Sequence, residues 1–225
     1  MKYIQKKKTG IGFSKLLQIH KAKGCYSDTK NDNSKTPKIT TRTDILKDLL
    51  EEQGNLCAYC MRSITLQNAN IEHFIGQGYV NEKEEAIGKI EDTNYDNMLA
   101  VCHGNFCKSE FHCDSSRSRY QKKRPLLNIS PLNKQQMNNI KFSQSGVVYY
   151  GNIDDETEIS FDLNEVLNLN CQNIKEERKK LIKIIKTLLV KYKFDKKFVK
   201  KELAYWEQEN RAYCQVAIFE LRKYI

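Results

Sequence analysis

The chain has 225 residues, of which 40% are hydrophobic and 29% charged, and 38 Lys and Arg outnumber 28 Asp and Glu to give a formal net charge of +10. This length can bury a core of one or two domains, and the positive charge favours a polyanionic partner such as nucleic acid. The basic segment 1–8 is not followed by a signal-peptide core, and no apolar run is long enough to span a bilayer, so we expect a cytoplasmic protein.

The first predicted domain is a basic N-terminal arm, residues 1–42, in which the polar segment 21–38 predicts a loop or mobile arm. A helix is expected next, with Thr43 as its N-cap, an apolar stripe within 45–50 and Gly54 as its end. This helix would give a rigid support to the cysteine pair that follows it.

The second predicted domain, residues 43–124, holds five of the eight cysteines and three of the four histidines. In a reducing compartment the close pair Cys57 and Cys60 indicates a metal or redox site rather than a disulfide framework. Four thiolates in two pairs can close a tetrahedral zinc site, and Cys102 is the expected third ligand. Cys25, Cys171 and Cys214 stand apart; we interpret them as buried or incidental thiols.

The fourth zinc ligand has more than one candidate. Short ligand spacing favours Cys107. Chemistry favours Cys113, because the oxygen donor Asp114 follows it, whereas a lysine follows Cys107. We expect Cys113, with Cys107 as the alternative and His103 and His112 as minor candidates.

The residues between the cysteine pairs suit phosphodiester hydrolysis, which requires a base for water and a cation for the phosphate and the departing oxygen. His73 titrates near neutral pH and is the expected base. Glu72 and Asp114 are hard oxygen donors that suit Mg²⁺ or Mn²⁺. Asn97 is expected to hold the catalytic loop by bonding its backbone.

A basic stretch, 117–124, closes the second domain. Its expected contacts with a nucleic-acid backbone are made by Arg117, Lys122, Lys123 and Arg124.

The third predicted domain, residues 125–225, combines a hairpin with helices. Strands at 140–142 and 147–150, separated by a turn with Gly146, predict the hairpin. Apolar residues at helical spacing predict a long helix, and the remaining chain predicts one more. The stripe of the long helix consists of Ile174, Leu181, Ile185, Leu188 and Tyr192.

The series Cys-x-x-Cys, Glu-His, Tyr-x-Asn and Cys-Asp resembles the zinc-containing HNH endonucleases, whose fold is a ββα-metal finger. In patches between Leu46 and Arg178 the chain is also similar to the PtuB family of nucleases from Septu and retron-associated antiphage systems. The segments that carry this similarity are 51–61, 71–74, 112–114 and 167–170, followed by Arg178. The resemblance implies an α+β fold: a zinc-stapled HNH finger embedded in a mainly helical protein with a small β-hairpin.

The resemblance also implies an activity, cofactors and partners. The chain would be the DNA-cleaving effector of a two-component defence system, with a structural Zn²⁺ and a catalytic Mg²⁺ or Mn²⁺. His73 matches the family's catalytic histidine, Asn97 its structural asparagine, and Glu72 and Asp114 its metal positions. The partner would be a PtuA-type ATPase in a hetero-oligomer, docked on the C-terminal helices, with a retron reverse transcriptase and its noncoding RNA as further candidates. Gly76, where relatives place proline, and the long interval between the last two zinc ligands depart from the family pattern.

Three other interpretations remain. The chain can be an HNH effector that cleaves RNA, including tRNA, because such a finger grips the backbone and reads little base identity. It can also be a non-catalytic zinc module, or an adaptor for nucleic acid or protein. A thioredoxin-like redox site at Cys57 and Cys60 is disfavoured, because no βαβ pattern surrounds the pair.

Overall fold

Helices and two small antiparallel sheets make up the protein in the computed structural model, which describes residues 1–30, 41–105, 110–121 and 124–225. The helices are α1 (Ile11–Lys21), α2 (Thr41–Glu52), α3 (Ile87–Ile90), α4 (Cys113–Tyr120), α5 (Lys134–Asn138), α6 (Glu158–Phe161), α7 (Gln172–Lys191), α8 (Lys196–Gln208) and α9 (Cys214–Leu221). The strands are β1 (Ala69–His73), β2 (Met98–Cys102), β3 (Ile140–Phe142) and β4 (Val148–Tyr150). Short 3-10 turns lie at Tyr26–Lys30, Tyr95–Asn97 and Arg222–Tyr224, and a π-helical turn lies at Asp162–Val166.

The N-terminal segment contains a helix that the sequence did not predict. Helix α1 approaches α2 so closely at Gly12 that an added Cβ atom would lie 2.3 Å from the backbone of Asp44. Helix α2 confirms the predicted helix, but Thr41 is already helical, so Thr43 lies within the helix and not at the predicted N-cap position. Gly54 follows its end as predicted, with φ +66°, a conformation that glycine adopts without strain.

Strands β1 and β2 form an antiparallel pair, and α4 follows them in the chain and packs on β2. The register places Ala69 opposite Cys102 and His73 opposite Met98. Strand β1 ends with Glu72 and His73, so this pair lies at the end of the sheet where the chain leaves β1.

The predicted hairpin is confirmed by β3 and β4, although β4 begins one residue later than expected. Gly146 in its turn has φ +83°. The side chain of Asn170 bonds both backbone groups of Val148, accepting from its N–H at 2.8 Å and donating to its carbonyl oxygen at 2.9 Å. The hairpin is thus fastened to the segment that leads into α7.

The predicted long helix is confirmed by α7, but its buried stripe is rotated slightly, and Tyr192 is 43% exposed. Its buried positions are Ile174, Arg178, Ile182, Ile185 and Leu189. The single final helix that the sequence predicted is wrong, because the chain forms α8 and α9 instead. The break lies before Tyr213, which has φ +59° and donates its N–H to the carbonyl oxygen of Met61 at 3.0 Å.

One hydrophobic cluster runs through most of the described chain, from Met1 to Val216, and crosses both predicted domain boundaries. A smaller cluster joins α7, α8 and α9. The helices and the two antiparallel sheets confirm the predicted mixed α+β class. Within the described ranges, every helix is too short or too polar to cross a membrane.

Candidate metal centre

Four buried cysteine thiols meet inside the main core. The Sγ atoms of Cys57, Cys60, Cys102 and Cys113 all lie within 4.8 Å of one another. The Sγ atoms of Cys57 and Cys113 are 3.9 Å apart, and those of Cys60 and Cys102 are 3.7 Å apart. Among the residues that the structure describes, this is the one group of three or more Cys, His, Asp or Glu side chains gathered closely enough to hold a metal.

The spacing of these thiols fits zinc. A Zn–S bond of about 2.3 Å in a tetrahedron places neighbouring sulfur atoms about 3.8 Å apart. The two measured distances, 3.7 and 3.9 Å, bracket that value. Because buried ionised thiols need a cation to offset their charge, four of them in this geometry suit a structural metal such as zinc.

Three separate segments of backbone bring the thiols together. Cys57 and Cys60 lie on a tight turn after α2, in which the N–H of Met61 donates to the carbonyl oxygen of Cys57 at 3.0 Å. Cys102 ends β2, and its N–H donates to the Sγ of Cys57 at 3.3 Å. Cys113 begins α4.

The last of these ligands depends on two long-range backbone contacts. The N–H of Cys113 donates to the carbonyl oxygen of Leu167 at 2.9 Å, so the segment before α7 fixes the start of α4. Gly104, with φ +72°, accepts from the N–H of His112 at 2.9 Å. A Cβ atom at Gly104 would lie 1.6 Å from the carbonyl oxygen of His112, so this close approach requires glycine.

The alternatives for the fourth ligand fall in different places. Cys113, the preferred candidate, lies in the cluster, and Cys107 lies outside the described residues. The Nδ1 atom of His112 borders the cluster, 3.2 Å from the Sγ of Cys113 and 3.9 Å from that of Cys102, and burial lowers the pKa of this imidazole to about 4. His103 is half-buried and outside the group.

His73 is the last residue of β1 and is only 7% exposed. Its Nε2 lies 2.9 Å from the carbonyl oxygen of Asp92, and the ring of Tyr26 packs against it edge-on with 4.5 Å between centroids. Burial lowers the pKa of His73 below its usual value, while the contact with Asp92 raises it in part. Burial therefore favours the neutral form of the imidazole.

Glu72 and Arg117 form a buried ion pair beside this histidine, with 2.5 Å between Oε1 and Nη1. The Arg117 guanidinium also donates to the hydroxyl of Tyr59 and to the carbonyl oxygen of Phe74, each at 2.5 Å. Burial raises the pKa of Glu72 to about 7 in spite of Arg117, and the charge of Asp114 adds to the rise. Arg117 was expected on a nucleic-acid surface; the structure contradicts this, because it is 1% exposed and holds Glu72.

Glu72 and Asp114 have the chemistry of ligands for a hard divalent cation. The Oε1 atom of Glu72 is buried and ion-paired with the Arg117 guanidinium, although the contact between them is not a well-directed hydrogen bond. Asp114 is half-buried in the first turn of α4, where its Oδ2 accepts from the side chain of Asn70 at 2.5 Å. Two carboxylates suit Mg²⁺, which keeps several of its waters, but Glu72, His73 and Asp114 are not gathered into a three-ligand group in the described residues.

Asn97 is buried and bonds the chain that follows His73. Its Oδ1 accepts from the N–H of Ile75 at 2.6 Å, and its Nδ2 donates to the carbonyl oxygens of Ile75 and Glu91 at 3.0 Å. The backbone N–H of Phe74 donates to the carbonyl oxygen of Asn97 at 2.8 Å. These contacts fasten the end of β1 to the start of β2, and the part of Asn97 in catalysis stays a prediction.

Two of the four phosphate contacts predicted in the basic stretch, Arg117 and Arg124, are engaged by acidic side chains in the described residues. Arg124 is ion-paired with Asp162 at 2.9 Å and with Glu158, and Lys122 and Lys123 lie outside the described residues. The positive charge is instead concentrated on α7 and α8. Residues 172–208 hold twelve Lys and Arg against five Asp and Glu, a net of +7 out of the +10 of the whole chain.

Sequence reasoning missed several residues that shape the site. Tyr26 and Asp92 contact His73, and Arg42 lies over the ring of Tyr26. Gln53 bonds β2 like a neighbouring strand, because its amide bonds both the N–H and the carbonyl oxygen of Ala100 at 2.8 Å. No local pattern marks these positions, since each partner lies far away in the chain.

Comparison with protein-family models gives no match, and comparison with curated proteins gives none. The site thus consists of four buried thiols arranged to hold a metal, in a mixed α+β fold whose strand β1 and helix α4 also carry a buried histidine and two carboxylates.

Proposed function

We propose that this chain is a metal-dependent endonuclease of the HNH type that hydrolyses phosphodiester bonds in DNA. The observation that supports this most is the unit formed by β1, β2 and α4 around the four thiols. It brings a Glu-His pair at the end of a strand and an aspartate at the start of a helix to one scaffold built around the thiol cluster. A zinc module with a purely structural role has no need of a buried acid, imidazole and guanidinium in this arrangement.

The contacts of His73 assign its two ring nitrogens different roles. A carbonyl oxygen can only accept, so Nε2 must carry the proton that it donates to Asp92. The neutral ring then has its lone pair on Nδ1, which is the atom able to take a proton from water. Tyr26 and the Asp92 contact fix the ring orientation, and Asn97 fixes the backbone that follows it.

Glu72 and Asp114 would hold the catalytic cation. When bound, a divalent ion stabilises negative charge on the phosphate and on the departing oxygen. Arg117 keeps Glu72 in place and balances its charge within the core. Cys57, Cys60, Cys102 and Cys113 would hold zinc, which links β2, α4 and the turn after α2 into one rigid support.

The biological setting is proposed from the family resemblance. The nuclease would be the effector of a two-component antiphage system and would associate with an ATPase through its C-terminal helices. The exposed side chains of Ile184 and Val190 on α7 are consistent with a protein-binding surface there.

The test is cleavage of supercoiled plasmid by the purified chain, alone and with a co-expressed ATPase, in Mg²⁺, Mn²⁺ or EDTA. We expect nicking in either metal and none in EDTA. Asp114→Asn should raise the Mg²⁺ concentration for half-maximal cleavage, while Asp154→Asn, an exposed carboxylate elsewhere, should not. Metal-independent activity, or binding of DNA without cleavage under every condition, would refute the proposal; cleavage of tRNA alone would change the substrate.

A further inference from the structure

A guanidinium lies close to His73 on the side formed by the N-terminal segment. Tyr26 is the link: its ring meets the His73 ring edge-on at 4.5 Å, and the guanidinium carbon of Arg42 lies 4.3 Å from the same ring centroid. The N–H of Tyr26 also donates to a carboxylate oxygen of Asp92 at 3.1 Å, the residue whose carbonyl holds His73. Arg42, Tyr26 and His73 therefore form one connected layer.

Arg42 has no anionic partner in this layer. It forms no ion pair with the carboxylates of the described residues, and its Nε is buried without a hydrogen-bond acceptor. A buried donor with no acceptor is costly unless a ligand supplies one. The positive charge of Arg42 also acts on His73, where it adds to the lowering of the imidazole pKa by burial.

The other guanidiniums named in this region are already engaged. Arg117 is enclosed with Glu72 in the core, and Arg124 is paired with Asp162 and Glu158. A phosphate placed beside His73 needs a positively charged donor that is free to bind it, and a guanidinium suits phosphate because it offers several donors in a planar fork.

We propose that Arg42 is the phosphate-binding residue of this site, held by Tyr26 and bonding the DNA phosphate that is next to the imidazole of His73. The assignment deepens the proposed nuclease function and rests on it. It replaces Arg117, which the sequence favoured, with a residue outside the motif that carries the resemblance. Tyr26 acts as a positioning residue: it orients both Arg42 and His73 without touching the reacting atoms.

Binding of a fluorescein-labelled DNA duplex, measured by anisotropy across a salt series in full-length His73→Ala protein, tests the contact without cleavage. Arg42→Gln should weaken binding about ten- to a hundredfold, the range for one charge-assisted hydrogen bond. It should also make the slope of log K against log salt shallower by about 0.9, the value for one phosphate contact. Arg42→Lys should keep the slope and lose only part of the affinity. Arg211→Gln is the matched control, since that guanidinium also lies on an aromatic ring, 4.7 Å from the centroid of Tyr205, away from His73.

The same substitutions are then made in protein that keeps His73, so that cleavage can be measured. Arg42→Gln should lower kcat/KM at least tenfold, and Tyr26→Leu should lower it more than Tyr26→Phe, which keeps the ring. If Arg42→Gln binds the duplex with unchanged affinity and slope, the inference is wrong whether or not the protein cleaves DNA. If the wild type binds DNA through Arg42 but never cleaves it, the nuclease proposal fails and the phosphate contact stands.

Discussion

At the scale of single residues, the buried ion pair of Glu72 and Arg117 is the contact whose disruption we expect to cost the most folding free energy. Each charge is taken out of water and is compensated mainly by the other, with further donors and acceptors from Tyr59 and Phe74. Removing one partner leaves the other charge buried and unpaired, which is far more costly than the net contribution of the intact pair.

We expect Arg117→Met to lower the free energy of unfolding by about 3–5 kcal/mol in urea denaturation of the zinc-loaded protein. Adding Glu72→Gln to that variant should recover part of the loss, because the stranded carboxylate is then neutral. Arg119 is an exposed arginine on the same helix, so Arg119→Met should leave the free energy of unfolding nearly unchanged. A stable Arg117→Met protein with weakened DNA binding would instead support the surface role that the sequence suggested.

The sequence predicted residue identities at this site better than residue environments. The cysteine pattern drew attention to Cys57, Cys60 and Cys102, the neighbouring oxygen donor Asp114 favoured Cys113 over Cys107, and all four thiols meet. The burial of Arg117 was not predictable, because its partner Glu72 is far away in the chain, and a basic stretch has the same composition whether it faces solvent or a buried acid. Arg42 was missed for the same reason.

At the scale of elements, the segment between Cys102 and Cys113 depends on a glycine at its base. Gly104→Ala should lower zinc retention and the midpoint of thermal unfolding, because the new Cβ would meet the carbonyl oxygen of His112 and the backbone has φ +72°. Gly78→Ala is the control, since its Cβ would meet nothing within 4 Å. Equal zinc retention in the two variants, measured after dialysis against a weak chelator, would contradict this role for the close approach of Gly104 and His112.

The elements that the sequence predicted well are those with a strong local signal. Helix α7 has a long apolar period, and the hairpin of β3 and β4 has two short apolar runs around Gly146. Helix α1 was missed because only Gly12 and Leu16 in it are buried, too few to set up a period. The break between α8 and α9 was missed because it depends on a tertiary contact, the bond from Tyr213 to Met61.

At the scale of the whole molecule, the C-terminal helices are part of the core that holds the thiols. Ile174, Ile182, Tyr213 and Val216 belong to the main hydrophobic cluster, and Arg62 beside the first cysteine pair is ion-paired with Glu177 of α7 at 2.7 Å. A truncation before Ile174 should therefore give insoluble or zinc-free protein. Such a truncation cannot report on partner binding.

Partner binding is better tested with surface changes on the intact chain. Both Ile184 and Val190 are more than half exposed on α7, so the double variant Ile184→Glu with Val190→Glu should unfold within a few degrees of the wild-type thermal midpoint. The same variant should no longer co-purify with a co-expressed ATPase. The control pair is Val80→Glu with Ile153→Glu, which are similarly exposed elsewhere. If the ATPase is recovered equally with the two double variants, the docking surface does not lie on α7.

We propose that a thiolate-bound zinc supports the fold while His73 carries out the chemistry. Both parts are tested by measuring zinc per chain and Mg²⁺-dependent plasmid cleavage on the same preparations of wild type, Cys113→Ser and His73→Ala. We predict one zinc per chain in the wild type and in His73→Ala, loss of zinc and of folded protein in Cys113→Ser, and cleavage by the wild type alone. Cleavage by zinc-loaded His73→Ala at the wild-type rate, or a folded and active Cys113→Ser protein without zinc, would contradict the account.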